Sequence, residues 1–230
     1  MTSLPYRSAL IVGAGSGISA SVARALATQG IKVGLAARNT DKLAALAAET
    51  GAATFTVDAS DPAAVAGLFE AAEAQIGEPD IVVYNASGRL RGPITELDPA
   101  GVAQALAVTA YGAFLVTQQA ARRMLPHGRG AILLTGATAG IKGFALSAPF
   151  AMGKFALRGL AQSAARELGP KGIHVAHFVI DGAVRSTRHP DTNDNTLDPD
   201  AIAQSYLDVL RQPRSAWSLE VELRPWLESF

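Results

Sequence analysis

Short apolar runs alternate with longer alanine-rich stretches along almost the whole chain, and this alternation most constrains the fold. The runs SALIV (8–12), KVGLA (32–36), ATFTV (53–57), DIVVY (80–84), AILLT (131–135), HVAHFVI (174–180) and LEVEL (219–223) read as strands. Helical stretches fall between them, near 17–29, 41–50, 62–76, 99–124, 150–168 and 198–211. Strands separated by helices must return in the same direction, so the chain predicts a parallel sheet covered by helices on both faces. The runs ALIV and AILL are continuously apolar, as strands buried on both sides require.

Helix boundaries carry their own punctuation. SDPAAV places Asp61 at an N-cap and Pro62 at the first helical position, and LDPAGV repeats this with Asp98 and Pro99. ELGPKG ends a helix at Gly169 and Pro170. No repeat, linker or composition break divides the chain, so 1–230 is expected to be one domain. The polar stretch RSTRHPDTNDNTLDPD (185–200) reads as a loop, and a mobile substrate loop is expected near 183–200.

A formal net charge of zero argues against a nucleic-acid or anionic-membrane surface. With no cysteines, disulfides and thiolate metal sites are excluded. The N-terminus shows no signal-peptide pattern, and no apolar run approaches the roughly 20 residues that cross a bilayer. A soluble, cytoplasmic protein is expected.

The first strand runs directly into GAGSGIS (13–19), which opens a helix. Glycines there let the backbone approach a pyrophosphate, which meets exposed N–H groups and the positive helix end. The cluster's place between first strand and first helix separates it from an ordinary tight turn. The second strand runs out into Arg38, where a ribose-binding acidic residue would favour NAD(H). A guanidinium there can pair with a 2′-phosphate, so the chain leans to NADP(H) over NAD(H). A solvated surface arginine is the alternative reading. Asp41 is assigned to the first turn of a helix instead.

These residues resemble the short-chain dehydrogenase/reductase family over nearly the whole chain. The marks are Gly13-xxx-Gly17, Asp58 in TVDASD, YNASG (84–88), Lys154 on a helix, and IDGAV (180–184). The resemblance implies a single-domain Rossmann fold and a nicotinamide cofactor. It places the cofactor's phosphates at Gly13, Gly15, Ser16, Gly17 and Ile18, and its adenine half at Arg38 and Asp58. Asn85 and Ala86 line the middle, and Lys154, Gly182 and Ser186 serve the nicotinamide side.

In this family a tyrosine moves the proton while hydride moves to or from the nicotinamide. A lysine four residues later lowers the tyrosine's pKa and binds the ribose. A serine thirteen residues before the tyrosine holds the substrate oxygen, and an asparagine on the preceding helix anchors a water. Carried over, the lysine is Lys154, whereas the tyrosine position is Phe150, the serine Ala137 and the asparagine Thr109. Val12, Ser19, Asp181 and Ser186 also depart from the family's threonine, glycine, proline and threonine.

Two functions follow from the resemblance. One is an atypical NADP(H)-dependent oxidoreductase of a small carbonyl or alcohol with a nonstandard proton path. The other is a catalytically silent NADP(H)-binding sensor or partner subunit. Thr138, Ser147 and Asp181 are the candidate substitutes for the lost proton donor, with Thr135 beside Thr138. Ser147 is equally a helix cap, and Asp181 equally a turn residue. Tyr84 and Tyr111 have suitable hydroxyls but are expected in the core. His174 and His177 should face opposite sides of one strand, with His127 in a turn and His189 in the loop. The helices near 99–124 and 150–168, rich in alanine and glycine, match those through which the family pairs subunits. A homodimer or homotetramer is therefore expected.

Overall fold

The structure is a computed structural model that describes residues 4–227. Residues 1–3 and 228–230 of the expected 1–230 domain lie outside the described residues. Seven strands form one sheet, each neighbouring pair parallel: β1 (Ser8–Val12), β2 (Lys32–Ala37), β3 (Ala53–Thr56), β4 (Ile81–Tyr84), β5 (Gly130–Thr135), β6 (Ile173–Ile180) and β7 (Glu220–Leu223). Their order is β3-β2-β1-β4-β5-β6-β7. The order reverses direction between β1 and β4, and the crevice beyond their carboxyl ends is where such sheets bind ligands. The fold is thus the helix-covered parallel sheet that the strand–helix alternation predicts, of the α/β Rossmann type that the resemblance implies.

Seven helices cover the sheet: α1 (Ile18–Thr28), α2 (Ala44–Thr50), α3 (Pro62–Ile76), α4 (Pro99–Leu106), α5 (Gly112–Met124), α6 (Ala148–Leu168) and α7 (Pro199–Leu210). Alternation within β1 feeds two cores. Ala9 and Ile11 pack with Ala23 and Leu26 of α1 and Tyr206 of α7. Leu10 and Val12 face Phe69 of α3, Val116 of α5 and Leu157 of α6. Apolar burial on both faces is the main force holding the sheet.

The caps form as the sequence predicts. Asp61 accepts from the backbone N–H groups of Ala63 and Ala64, and Asp98 from those of Ala100 and Gly101. Asp198, ahead of Pro199, caps α7 in the same way, a third use of the Asp-Pro signal. At the end of α6 the left-handed residue is Gly172 (φ 88°), not Gly169, because a 3₁₀ turn over Gly169–Lys171 intervenes. Asp41 opens a 3₁₀ turn, Asp41–Leu43, that leads into α2.

The stretch read as one helix over 99–124 is interrupted by a π-helical segment, Ala107–Tyr111, between α4 and α5. Its widened turn frees the Val108 carbonyl, which accepts a hydrogen bond from the Tyr84 hydroxyl. Thr109 Oγ1 accepts from the Gly88 N–H at 2.8 Å. Tyr84 is buried as expected, but Tyr111 is 47% exposed and stacks on Phe114 at the surface, which corrects the core assignment. The bilayer expectation also needs correcting. The continuous helical stretch Pro99–His127 has mean hydropathy 1.5 in its most apolar window and is long and apolar enough to cross a membrane. Here Ala113, Val116 and Ala120 of that stretch are buried in the core of the fold.

Candidate active site

Two cavities meet at Asn85 and Ser87, above the carboxyl ends of β1 and β4. The first, about 580 Å³, is bordered by Gly13, Arg38, Lys42, Asp58 and Ala86. The second, about 530 Å³, is bordered by Ile18, Ala137, Phe150, Lys154 and Gly182. Together they form a cleft that passes the glycine turn, with the expected adenine residues at one end and Lys154 at the other.

The glycine turn serves two purposes. Gly13 has φ 85°, and a Cβ there would lie 2.3 Å from the Ala86 backbone nitrogen. That glycine therefore lets β1 close against β4. Gly15 and Gly17 have open space where a Cβ would go, so the backbone stays accessible at the start of α1. Ser16 is exposed beside them. Ser19 donates to the Gly13 carbonyl at 3.2 Å and accepts from Asn85 Nδ2 at 2.7 Å. The glycine-to-serine departure thus fastens the turn to the end of β4.

At the adenine end Arg38 and Lys42 both border the cavity, and Arg38 is exposed. Asp58 Oδ1 accepts from the N–H and hydroxyl of Ser60 at 2.9 and 2.6 Å. Those bonds, with Arg38's charge as a smaller contribution, hold its carboxyl below the usual range.

At the other end, buried positions of α6 recur with helical spacing: Gly153, Lys154, Leu157, Ala161, Ala164 and Leu168. Lys154 is 4% exposed, and its Nζ donates to the Thr135 backbone carbonyl at 2.7 Å. Burial, and then the charge of Arg89, pull its pKa down to about 7. Phe150, one turn earlier, is half-buried and faces the cleft, with Lys154 Nζ 5.8 Å from its ring centroid. Neither Phe150 nor Ala137 carries a hydroxyl.

The candidate proton donors separate. Asp181 is 3% exposed and does not border the cavity, because its carboxylate pairs with Arg224 at 2.8 Å. That pair takes Asp181 out of the cleft and overturns its assignment as a substitute donor. Thr135's hydroxyl is shared with Tyr206 at 2.7 Å, and burial pushes the Tyr206 phenol up. Thr138 and Ser147 both border the cavity. Thr138 Oγ1 makes a long 3.4 Å bond to the Ile180 carbonyl. Ser147 stands at the N-cap position of α6, yet its side chain caps nothing. Thr109 is buried and holds Gly88 rather than facing the cleft. Ser186 turns to His189, whose N–H it accepts at 3.2 Å.

Sequence reasoning missed three groups on the cleft wall. Arg89 and Arg91 border the cavity, as does His189, which the expectation placed in the 183–200 loop without a role. The Arg89 guanidinium lies over the Phe150 ring, 4.6 Å from its centroid. The base of the 183–200 loop is held by a bridge between Val184 and Leu197 and an ion pair between Arg185 and Asp198 at 2.5 Å. Behind the cleft, buried His177 Nδ1 contacts Glu220 at 2.9 Å, and Glu220 takes a two-point contact from Arg158 at 2.6 and 2.7 Å.

A parallel sheet with a glycine turn at its switch point and an open cleft across it defines a dinucleotide-binding Rossmann protein. Residues 7–196 match the short chain dehydrogenase family, and the chain belongs to it. An uncharacterised oxidoreductase of Staphylococcus saprophyticus is 30% identical over 98% of this chain and 100% of its own length. A short-chain dehydrogenase from Rhodopseudomonas palustris superposes with TM-score 0.84 at 35% identity, covering 96% of this chain and 99% of that one. A metagenomic short-chain oxidoreductase in complex with NADP superposes with TM-score 0.86 at 30% identity, covering 98% and 100%. The chain is an oxidoreductase of the short-chain type.

Proposed function

We propose that the protein is an atypical NADP(H)-dependent oxidoreductase acting on a small carbonyl or alcohol through a proton path centred on Lys154. The observation that carries this reading is a lysine buried in the cleft wall beside a phenylalanine, with a pKa near 7. A group that titrates near neutral pH is suited to hold and pass a proton.

The cleft fits a phosphorylated dinucleotide. Open backbone at Gly15 and Gly17 stands at the start of α1, and Arg38 and Lys42 offer cations to a 2′-phosphate. When bound, the nicotinamide supplies the hydride chemistry. Lys154 holds the ribose and an exchangeable proton, and Phe150 fills volume and excludes water beside it. Ser147 offers an uncommitted hydroxyl on the same wall. Hydride orientation survives without the family's tyrosine, while the acid–base contribution of about 10²–10⁴-fold is reduced.

The test is NADPH oxidation against a carbonyl panel, with wild type and Lys154→Met side by side. Turnover that drops at least about 100-fold in Lys154→Met agrees with the reading. Undiminished turnover in that variant contradicts it.

The side chains of Phe150 and Ala137 favour a second reading, a silent NADP(H)-binding sensor or partner subunit. Tight NADPH binding with no turnover on any carbonyl would select it.

Assembly and location belong to the same proposal. Tyr111, Phe114, Met152 and Phe155 are large, apolar and exposed on adjacent helical segments, which supports a homodimer or homotetramer. Sedimentation that finds only monomer at micromolar concentration refutes that assembly. A cytoplasmic location is part of the same reading, with which a chain that needs no disulfide is compatible.

A further inference from the structure

The charged residues that border the cavity around Lys154 are all basic. Arg89, Arg91 and Lys154 border it, His189 lies at its rim, and no acidic residue lines it among the described residues. The chain as a whole has no net charge, so composition does not account for this concentration. Several arginines elsewhere are ion-paired, among them Arg158 with Glu220, Arg185 with Asp198 and Arg224 with Asp181. No hydrogen bond or ion pair joins Arg89 or Arg91 to another described residue, and Arg89 is instead held over the Phe150 ring.

A cation–π contact localises the guanidinium beside Phe150 without using its N–H donors, which remain for two-point recognition of a carboxylate. Phe150 and Lys154 flank the place where the proposed reaction occurs, so the anchored group must sit next to the reacting carbon. The charge of Arg89 also lowers the affinity of Lys154 for its proton, and an arriving anion would offset that charge.

We infer that the cleft is built for a substrate with a carboxylate beside its reacting carbonyl or hydroxyl, a 2-oxo or 2-hydroxy acid, and that Arg89 is its anchor. The inference rests on the oxidoreductase reading above. In the reducing direction the carbonyl carbon gains a hydride and its oxygen a proton. The reduced nicotinamide cofactor is oxidised, and the carboxylate is unchanged. Arg91, farther along the same loop, adds attraction rather than geometry.

Two measurements on the full chain test this. The first compares benzoylformate with its methyl ester as substrates for NADPH oxidation, in wild type, Arg89→Ala and Arg89→Lys. Wild type should favour the acid by about 10- to 100-fold in kcat/KM, the span of one charge-assisted contact. Arg89→Ala should lose that preference, the acid-to-ester ratio of kcat/KM falling towards one; the ratio is the readout because Arg89 also bears on Lys154 and so on the absolute rates. Arg89→Lys should recover it in part, because the charge returns without the planar fork. Equal rates on acid and ester in wild type overturn the inference. So does an Arg89→Ala variant that loses both equally, or that loses NADPH affinity instead.

The second measurement is calorimetric binding of oxamate to the NADP⁺-saturated protein. Oxamate binding that disappears in Arg89→Ala supports an anion site even if no substrate turns over. In that case the oxidoreductase reading fails and the inferred anion recognition stands. No oxamate binding, together with turnover of neutral carbonyls, removes the inference and leaves the oxidoreductase reading intact.

Discussion

The ammonium of Lys154 is tied to the backbone carbonyl of Thr135 by a 2.7 Å hydrogen bond, at the base of a cleft that leaves the side chain almost no contact with water. The bond holds the amine at the end of β5, facing the turn that continues through Ala137. Burial then sets the proton affinity, with Arg89 as a second influence.

This arrangement predicts that NADPH binding takes up a proton. In the free protein Lys154 is largely neutral above about pH 7. An anionic cofactor at the cleft favours the charged form and raises the pKa. Affinity should therefore fall as pH rises from about 7 to 9, by up to tenfold per pH unit. Calorimetry in buffers of different ionisation enthalpy should show uptake approaching one proton, absent in Lys154→Met. The free protein carries the matching stability signature. Its folded pKa lies below the unfolded value, so the unfolded chain binds the extra proton between them. Stability should rise with pH across about 7 to 10 relative to Lys154→Met.

Arg38 should determine cofactor choice. Its guanidinium is exposed at the adenine end, with Lys42 on the same cavity. NADPH should bind about 10- to 100-fold more tightly than NADH, and Arg38→Ala should remove most of that difference. Equal affinities in the wild type, by titration calorimetry, would show that the exposed arginine is only solvated.

The glycines of the first turn should divide into two kinds. Gly13→Ala forces a Cβ against the Ala86 backbone from a left-handed conformation. Thermal unfolding should report a loss on the order of 1–3 kcal/mol or more. Gly15→Ala meets open space, so stability should change by no more than about 0.5 kcal/mol. Its effect should fall on NADPH affinity, if the pyrophosphate passes where the backbone is bare. Similar stability losses in both variants would contradict the division.

Much of this fold is legible in the sequence because its parts are local. A run such as AILL must be buried on both sides, and Asp61-Pro62 states where a helix begins. The site is only half legible. Lys154 and Phe150 are placed by spacing on one helix, but Arg89 is drawn to Phe150 by tertiary contact alone. Asp181 looks like a turn residue beside the cleft until Arg224, at the end of β7, claims its carboxylate. The π-helical turn over Ala107–Tyr111 is likewise hidden, since the contact that accompanies it, the Tyr84 hydroxyl on the Val108 carbonyl, comes from distant β4. Ser19 reads as a lost glycine, and only the fold reveals its bond to Asn85.

The central claim is that the cleft keeps the cofactor-facing lysine while lacking the hydroxyl pair that would move the proton efficiently. Restoring that pair with Ala137→Ser and Phe150→Tyr keeps the ring under Arg89 and adds both hydroxyls beside Lys154. The decisive measurement is the rate of NADPH oxidation with a carbonyl substrate, comparing wild type, the double variant and the double variant with Lys154→Met. The account predicts a gain of about 100-fold or more in the double variant, lost again when Lys154 is removed. A folded double variant that binds NADPH as wild type does, yet reduces the substrate no faster, would contradict it.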